Sequence, residues 1–108
     1  MRRKRLLLIS AAAGAQLLVL FSQQRAPEEG FDPKAVALVR WEEARGEGID
    51  LSLGPCFGLI GTDWVADVVH DPRQPVDDEP GNQCMEYQTG RVKHFVELTP
   101  NGAVVRVK

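Results

Sequence analysis

The longest hydrophobic run in the chain covers residues 6–21 and contains no charged residue. Four basic residues, 2–5, precede it directly. A basic stretch followed by an apolar segment is typical of a signal that directs export. As a helix, the run would be about 24 Å long, which is compatible with a cleaved signal peptide and with a retained anchor. We therefore predict that residues 1–26 form a signal anchor or signal peptide and that residues 27–32 form a spacer.

A second apolar pattern, with the period of a helix, begins after Asp32 and Pro33. Asp at the N-cap position accepts hydrogen bonds from first-turn amides, and Pro at the next position needs no amide partner. The apolar face of this helix carries Ala37, Leu38, Trp41 and Ala44. Gly46 and Gly48 follow, as glycine often does at a helix end. The pattern predicts a helix over residues 33–45.

Alternating apolar and polar positions predict strands in the middle and at the end of the chain. Residues 64–70 are the expected central strand. Residues 91–98 and 103–108 are expected to form a hairpin around the turn 99–102, in a register that pairs Leu98 with Ala103. Residues 49–53 also alternate, which is compatible with a short strand or with an extended approach to the turn at residues 54–56. Residues 57–63 are apolar but interrupted by glycine, which predicts a packed loop.

Residues 71–83 are rich in proline and acidic residues, which predicts a loop. A loop of this length and composition suits a binding surface, and it equally suits a plain connection between a strand and a helix. A short helix is predicted within residues 79–89. The elements together predict an α+β domain over residues 33–108, with a three-stranded antiparallel sheet, one covering helix and one short helix.

The charge of the chain restricts its partners. Beyond residue 5 there are nine basic and fifteen acidic residues, a net charge of −6. No basic stripe remains to neutralise phosphates, so a nucleic-acid partner is not expected. The basic residues 2–5 favour a cytoplasmic N-terminus. The expected location is therefore the cell membrane, with a single span at residues 6–21 and the domain outside; secretion after signal cleavage is the alternative.

Cys56 and Cys84 are the only cysteines. An even number of cysteines in an exported domain of this size predicts one disulfide, which would stabilise a small core. A zinc site would need closely spaced ligands, whereas Cys56, His70, Cys84 and His94 are 14, 14 and 10 positions apart. We therefore predict a disulfide, no bound metal and no cofactor.

These features favour a non-enzymatic binding or structural domain whose partner is a protein or a cell-envelope component. The candidate ligand contacts are His70, Asp71, Arg73, Asp77, Asp78 and His94. No catalytic residue is predicted. The alternative is a small hydrolase or metal-dependent enzyme that uses His70 and His94 with Asp71 or Glu97, which requires the two imidazoles to converge. A third possibility is a redox protein that cycles the two cysteines.

Overall fold

The structure, a computed structural model, describes residues 30–108. The predicted signal or anchor segment and residues 27–29 of the predicted spacer lie outside this range. Within residues 30–108, no helix is both long enough and apolar enough to cross a membrane. These residues form an α+β domain, as the sequence predicts.

Two helices and four strands make up this domain. Helix α1 spans Pro33–Gly46 and the short helix α2 spans Met85–Gln88. The strands are β1 (Cys56–Gly61), β2 (Trp64–Val68), β3 (His94–Leu98) and β4 (Val104–Val107). Three 3₁₀ turns lie at Leu51–Leu53, Pro75–Asp78 and Pro80–Asn82. The first of these turns replaces the short strand considered for residues 49–53, and the predicted helix within 79–89 is confined to α2.

Helix α1 begins where the sequence predicts. Asp32 Oδ1 accepts hydrogen bonds from the amides of Lys34 (3.1 Å) and Ala35 (3.4 Å). Ala37 and Ala44 are fully buried against the sheet. Leu38, predicted on the same face, is instead 38% exposed. The buried stripe of α1 is therefore narrower than the sequence pattern indicates.

The sheet is mixed, which corrects the predicted three-stranded antiparallel sheet. Its strand order is β1-β2-β3-β4. The outer pairs, β1/β2 and β3/β4, are antiparallel, but β2 and β3 are parallel. Residues 69–93, the crossover segment, return the chain to the end of the sheet where β2 starts. Strand β3 therefore runs beside β2 in the same direction.

Strand β1 was predicted as a packed loop, and that prediction is wrong. The pairing of β1 with β2 shifts between Cys56 and Gly58, where Gly58 has a φ of 81°. A glycine at positive φ accommodates a β-bulge without steric penalty. The glycines of this segment therefore bend an edge strand, although in the sequence they resemble breaks.

The hairpin of β3 and β4 forms, but in a different register from the predicted one. Leu98 pairs with Val104 and Val96 pairs with Val107, with an irregularity between Glu97 and Leu98. Val105 has no partner in this register. The bulge places Arg106 opposite Glu97, and the two side chains form an ion pair at 3.2 Å. This ion pair brings a basic group to a buried carboxylate, which the predicted register did not.

Each face of the sheet is covered by a different part of the chain. Helix α1 packs on the face that carries Ala66, Val96 and Leu98. The crossover segment packs on the opposite face, where Val65 contacts Cys84 and Val92 belongs to the same cluster. The second face is the less regular one because turns and a single-turn helix cover it. This face also carries the carboxylates of Asp67 and Glu97, which line a cavity.

Candidate functional site

A cavity of about 190 Å³ lies between the sheet and the crossover segment. Its apolar lining consists of Val65, Cys84, Tyr87 and Phe95. Its polar lining consists of Asp67, Arg73, Gln83, Gln88 and Glu97. The rings of Tyr87 and Phe95 pack edge to face with centroids 5.0 Å apart. Since a water occupies about 30 Å³ of liquid volume, the cavity has room for a small organic group.

The cavity adjoins a shallower groove of about 630 Å³ on the surface. Arg73, Gln83 and Gln88 line both. The other groove residues are Asp78, Pro80 and Met85, all from the crossover segment. The cavity and the groove therefore adjoin at these shared polar side chains.

Two carboxylates lie side by side in the lining of the cavity. Asp67 of β2 and Glu97 of β3 are register partners in the parallel strand pair, so their side chains share one face. Burial raises the pKa of Asp67 to about 7, and the negative charge of Glu97 contributes to the rise. At neutral pH, Asp67 is therefore present in both its neutral and its ionised form.

Asp67 also lacks a hydrogen-bond partner at one of its oxygens. Within residues 30–108, its Oδ1 is the only buried side-chain oxygen or nitrogen without one. Buried polar atoms are nearly always hydrogen-bonded, because an unpaired one loses the water it had in the unfolded chain. A ligand that offers a hydrogen-bond donor to this oxygen would recover the lost interaction.

Glu97 is the better compensated of the two carboxylates. It is 8% exposed and lies 3.3 Å from Arg73 Nη1 and 3.2 Å from Arg106 Nη1. Arg73 Nε also donates to Asp78 at 2.8 Å, which fixes the guanidinium at the boundary of cavity and groove. Glu97 is thus paired with two arginines, whereas burial raises the pKa of Asp67 to about 7.

The predicted disulfide between Cys56 and Cys84 is present, and it borders the same cavity. Both Sγ atoms and one carboxylate oxygen of Asp67 lie within 4.8 Å of one another. Three such atoms resemble the ligands of a metal ion. While the disulfide is intact, however, neither sulfur is a thiolate, so this arrangement does not bind a metal through sulfur.

His70 and Asp77, both predicted as ligand contacts, are instead hydrogen-bonded to each other, with Asp77 buried and His70 half-buried. The side chain of Asp77 accepts hydrogen bonds from the amides of His70 (3.0 Å) and Gln74 (2.8 Å) and from His70 Nδ1 (2.9 Å). Asp77 is 1% exposed. It therefore holds the start of the crossover segment in shape and is not accessible to a partner.

His94 lies at the opposite end of the sheet from His70. Its backbone pairs with Trp64 where β2 begins, whereas His70 follows the end of β2. The imidazole of His94 stacks on the Trp64 ring with centroids 4.6 Å apart and faces Asp63 at 3.6 Å. The two histidines do not converge, so the geometry required for the hydrolase alternative is absent.

The remaining predicted contacts are on the surface. Asp71 is exposed, and Arg73 and Asp78 form the ion pair beside the groove. Sequence reasoning did not single out Asp67. A carboxylate flanked by Val65, Ala66 and Val68 inside a strand was a signal for it. That signal gained meaning only when the parallel pairing placed Glu97 beside it.

The Asp67→Asn variant is expected to be more stable than the wild type at pH 8, by about 1–3 kcal/mol, and equally stable at pH 4. The folded pKa of about 7 lies above the ordinary value of 3.8. Between these values, the unfolded chain loses the proton that the folded domain keeps, so wild-type stability falls as pH rises. Asn stays neutral at every pH.

Urea unfolding at intervals from pH 4 to pH 8.5 measures this difference. Asp63→Asn is the matched control, because Asp63 is a half-exposed carboxylate at the other end of β2. The control is expected to follow the wild-type curve. If Asp67→Asn also ran parallel to the wild type, Asp67 would not titrate near neutral pH in the folded domain.

No protein family model, no curated protein and no solved structure matches this chain. The function must therefore be inferred from the residues themselves. Their distinguishing feature is a cavity lined by Asp67, whose pKa is raised to about 7 and whose Oδ1 has no hydrogen-bond partner.

Proposed function

We propose that the chain is a disulfide-stabilised binding domain that acts outside the cytoplasm. The basic residues 2–5 and the apolar run 6–21 support export, either as a membrane anchor or as a cleaved signal. The disulfide supports an oxidising compartment, since such bonds persist there and are rare in the cytosol. The domain binds a protein or a cell-envelope component rather than nucleic acid.

The ligand site is the cavity beside Asp67, and the unpaired Asp67 Oδ1 is the observation that carries this proposal. The ligand is a small organic cation: a primary ammonium group on an apolar stem, such as a lysine side chain of a partner protein. The ammonium group donates to Asp67, and the stem contacts Val65 and Phe95. Arg73 and Asp78 line the groove outside, where the loop predicted as a binding surface meets the rest of the ligand.

The charge of the cavity supports a cationic ligand. Glu97 is already neutralised by Arg73 and Arg106, so ionised Asp67 leaves one uncompensated negative charge. An ammonium group compensates that charge in a buried place, where a charge-assisted hydrogen bond is strong. A neutral ligand makes no such gain, and an anion is repelled by ionised Asp67.

Binding of n-butylammonium is expected to be about tenfold tighter at pH 8 than at pH 6. The ligand selects ionised Asp67, and the ionised fraction rises about tenfold over this interval when the pKa is about 7. Titration followed by ¹H–¹⁵N correlation spectra measures both the affinity and the location. The largest shifts are expected at the amides of Asp67, Cys84 and Glu97.

Two controls separate this binding from a general surface effect. n-Butanol has the same stem without the charge and is expected to bind weakly and without pH dependence. Asp67→Asn should lose the pH dependence, whereas Asp63→Asn should keep it. Equal affinity of Asp67→Asn and the wild type at pH 8 would contradict the proposal, as would shifts confined to the outer surface.

A further inference from the structure

The Cys56–Cys84 disulfide borders a cavity, which a purely structural bond does not require. Cys84 lines the cavity and is only 4% exposed as a whole residue. Cys56 is half-buried on the edge strand β1. Both sulfurs lie within 4.8 Å of a carboxylate oxygen of Asp67. The disulfide, the carboxyl group of Asp67 and the cavity thus lie next to one another.

The surroundings of the two sulfurs are unequal. The amide of Gly58 points at Cys56 Sγ with a distance of 3.1 Å. A backbone N–H in that position stabilises negative charge that develops on the sulfur. Both sulfurs also lie near the Ala66 carbonyl oxygen, Cys56 Sγ at 3.8 Å and Cys84 Sγ at 3.5 Å. Within residues 30–108, only Cys56 Sγ has an amide donor as well, so Cys56 is the better leaving group. Cys84 is the residue of the pair that lines the cavity.

We propose that the Cys56–Cys84 bond is a thiol–disulfide exchange site, in which a small thiol enters the cavity, attacks Cys84, and Asp67 protonates the departing Cys56. This activity goes beyond the cation binding proposed above. The same cavity serves both, but cation binding leaves the disulfide unchanged. Either activity can therefore be present without the other.

The exchange balances in two steps. A thiolate sulfur bonds to Cys84 Sγ, the S–S bond breaks, and its electron pair goes to Cys56 Sγ, which takes the proton of neutral Asp67. A second thiolate then attacks the external sulfur of the mixed disulfide and releases Cys84, which takes a proton from water. The protein disulfide gains two electrons, and two external thiols are oxidised to one disulfide. Asp67 is left ionised and regains its proton from solvent.

Asp67 is well placed for the proton transfer. The separation of up to 4.8 Å from the sulfurs is closed by one water or by a rotation of the side chain. An acid with a pKa near 7 donates readily to a thiolate at neutral pH and is restored at the same pH. Glu97, held by two arginines, does not compete for this role.

The test is the rate at which dithiothreitol reduces the folded full-length chain, quenched by alkylation and read by mass. Rates are divided by the concentration of dithiothreitol thiolate at each pH. The corrected wild-type rate is expected to be at least tenfold higher at pH 6 than at pH 8.5, because neutral Asp67 disappears over that range. Asp67→Asn should show a corrected rate that does not change with pH, and Asp63→Asn should match the wild type.

Two results would overturn the proposal. The first is one shared pH profile for the wild type and Asp67→Asn, which would mean that Asp67 takes no part. The second is a reduction rate independent of dithiothreitol concentration, which would mean that the bond reacts only after the domain unfolds and is purely structural. Neither result affects n-butylammonium binding, since that measurement uses the intact disulfide.

Discussion

The Cys56→Ala/Cys84→Ala double variant should melt about 12–32 °C below the wild type. The bond joins residues 28 positions apart. In the loop-entropy model, a closed loop of this size stabilises the folded state by about 3–4 kcal/mol. A domain of fewer than 100 residues loses about 4–8 °C in melting temperature for each kcal/mol. The bond also fastens the crossover segment to the edge strand β1, so its loss removes a long-range tie.

Thermal unfolding followed by near-ultraviolet circular dichroism measures this effect, with Trp41 and Trp64 as probes of packing. Wild type reduced with excess dithiothreitol is the comparison that keeps both sulfur atoms. Similar losses in the two samples would assign the effect to the bond rather than to the smaller side chains. A double variant that melts within about 3 °C of the wild type would show that the crossover segment is held by other contacts.

The parts of the fold that the sequence predicts well are those set by local signals. Asp32 and Pro33 start α1 because both act on the first turn of the same helix. The alternating pattern of residues 64–70 predicts a strand, and β2 forms over Trp64–Val68. The disulfide follows from cysteine number and the expected compartment. Each of these inferences needs only neighbouring residues or a count.

The parts that it did not predict depend on residues far apart in the chain. Parallel pairing of β2 and β3 is decided by the path of residues 69–93, which have no periodic pattern. Strand β1 is stabilised by pairing with β2 and by the bond to Cys84, although its own glycines disfavour a strand. The hairpin bulge depends on the match between Glu97 and Arg106.

The candidate site was only partly predictable for the same reason. Arg73 and Asp78 were expected to contact a ligand because they lie in an unusual loop, and they do line the groove. Asp67 and Glu97 lie 30 positions apart, and they become a pair only through the parallel register. His70 and His94 looked alike in sequence, since both fell on the apolar side of their predicted strands. The sheet places them at opposite ends and gives each a different acidic neighbour.

The Asp77→Ala variant should lose about 3–5 kcal/mol of stability at pH 7, the largest single-residue effect expected in this domain. The carboxylate is 1% exposed and accepts from two amides and from the His70 ring. Alanine leaves these three part-buried donors without their acceptor. Although burial alone would raise it, the pKa of Asp77 is lowered by hydrogen bonds from Gln74 and His70. Its contribution is thus present above the unfolded pKa and is lost as the pH falls through the folded one.

Urea unfolding at pH 7 and pH 3 tests the role of Asp77, with Asp78→Ala as the matched control. Asp78 is the adjacent carboxylate, but its side chain is 64% exposed and pairs only with Arg73 among the ion pairs of residues 30–108. An exposed pair of this kind contributes about 1 kcal/mol or less.

If the two variants lost equal stability, the hydrogen bonds of Asp77 would not be what holds the crossover segment. If only Asp77→Ala lost stability, and lost less at pH 3, the ionised carboxylate would be what fixes the segment over the cavity. The two adjacent acidic residues of the loop would then have different roles. Asp77 would set the shape of the site, and Asp78 would orient Arg73 at its opening.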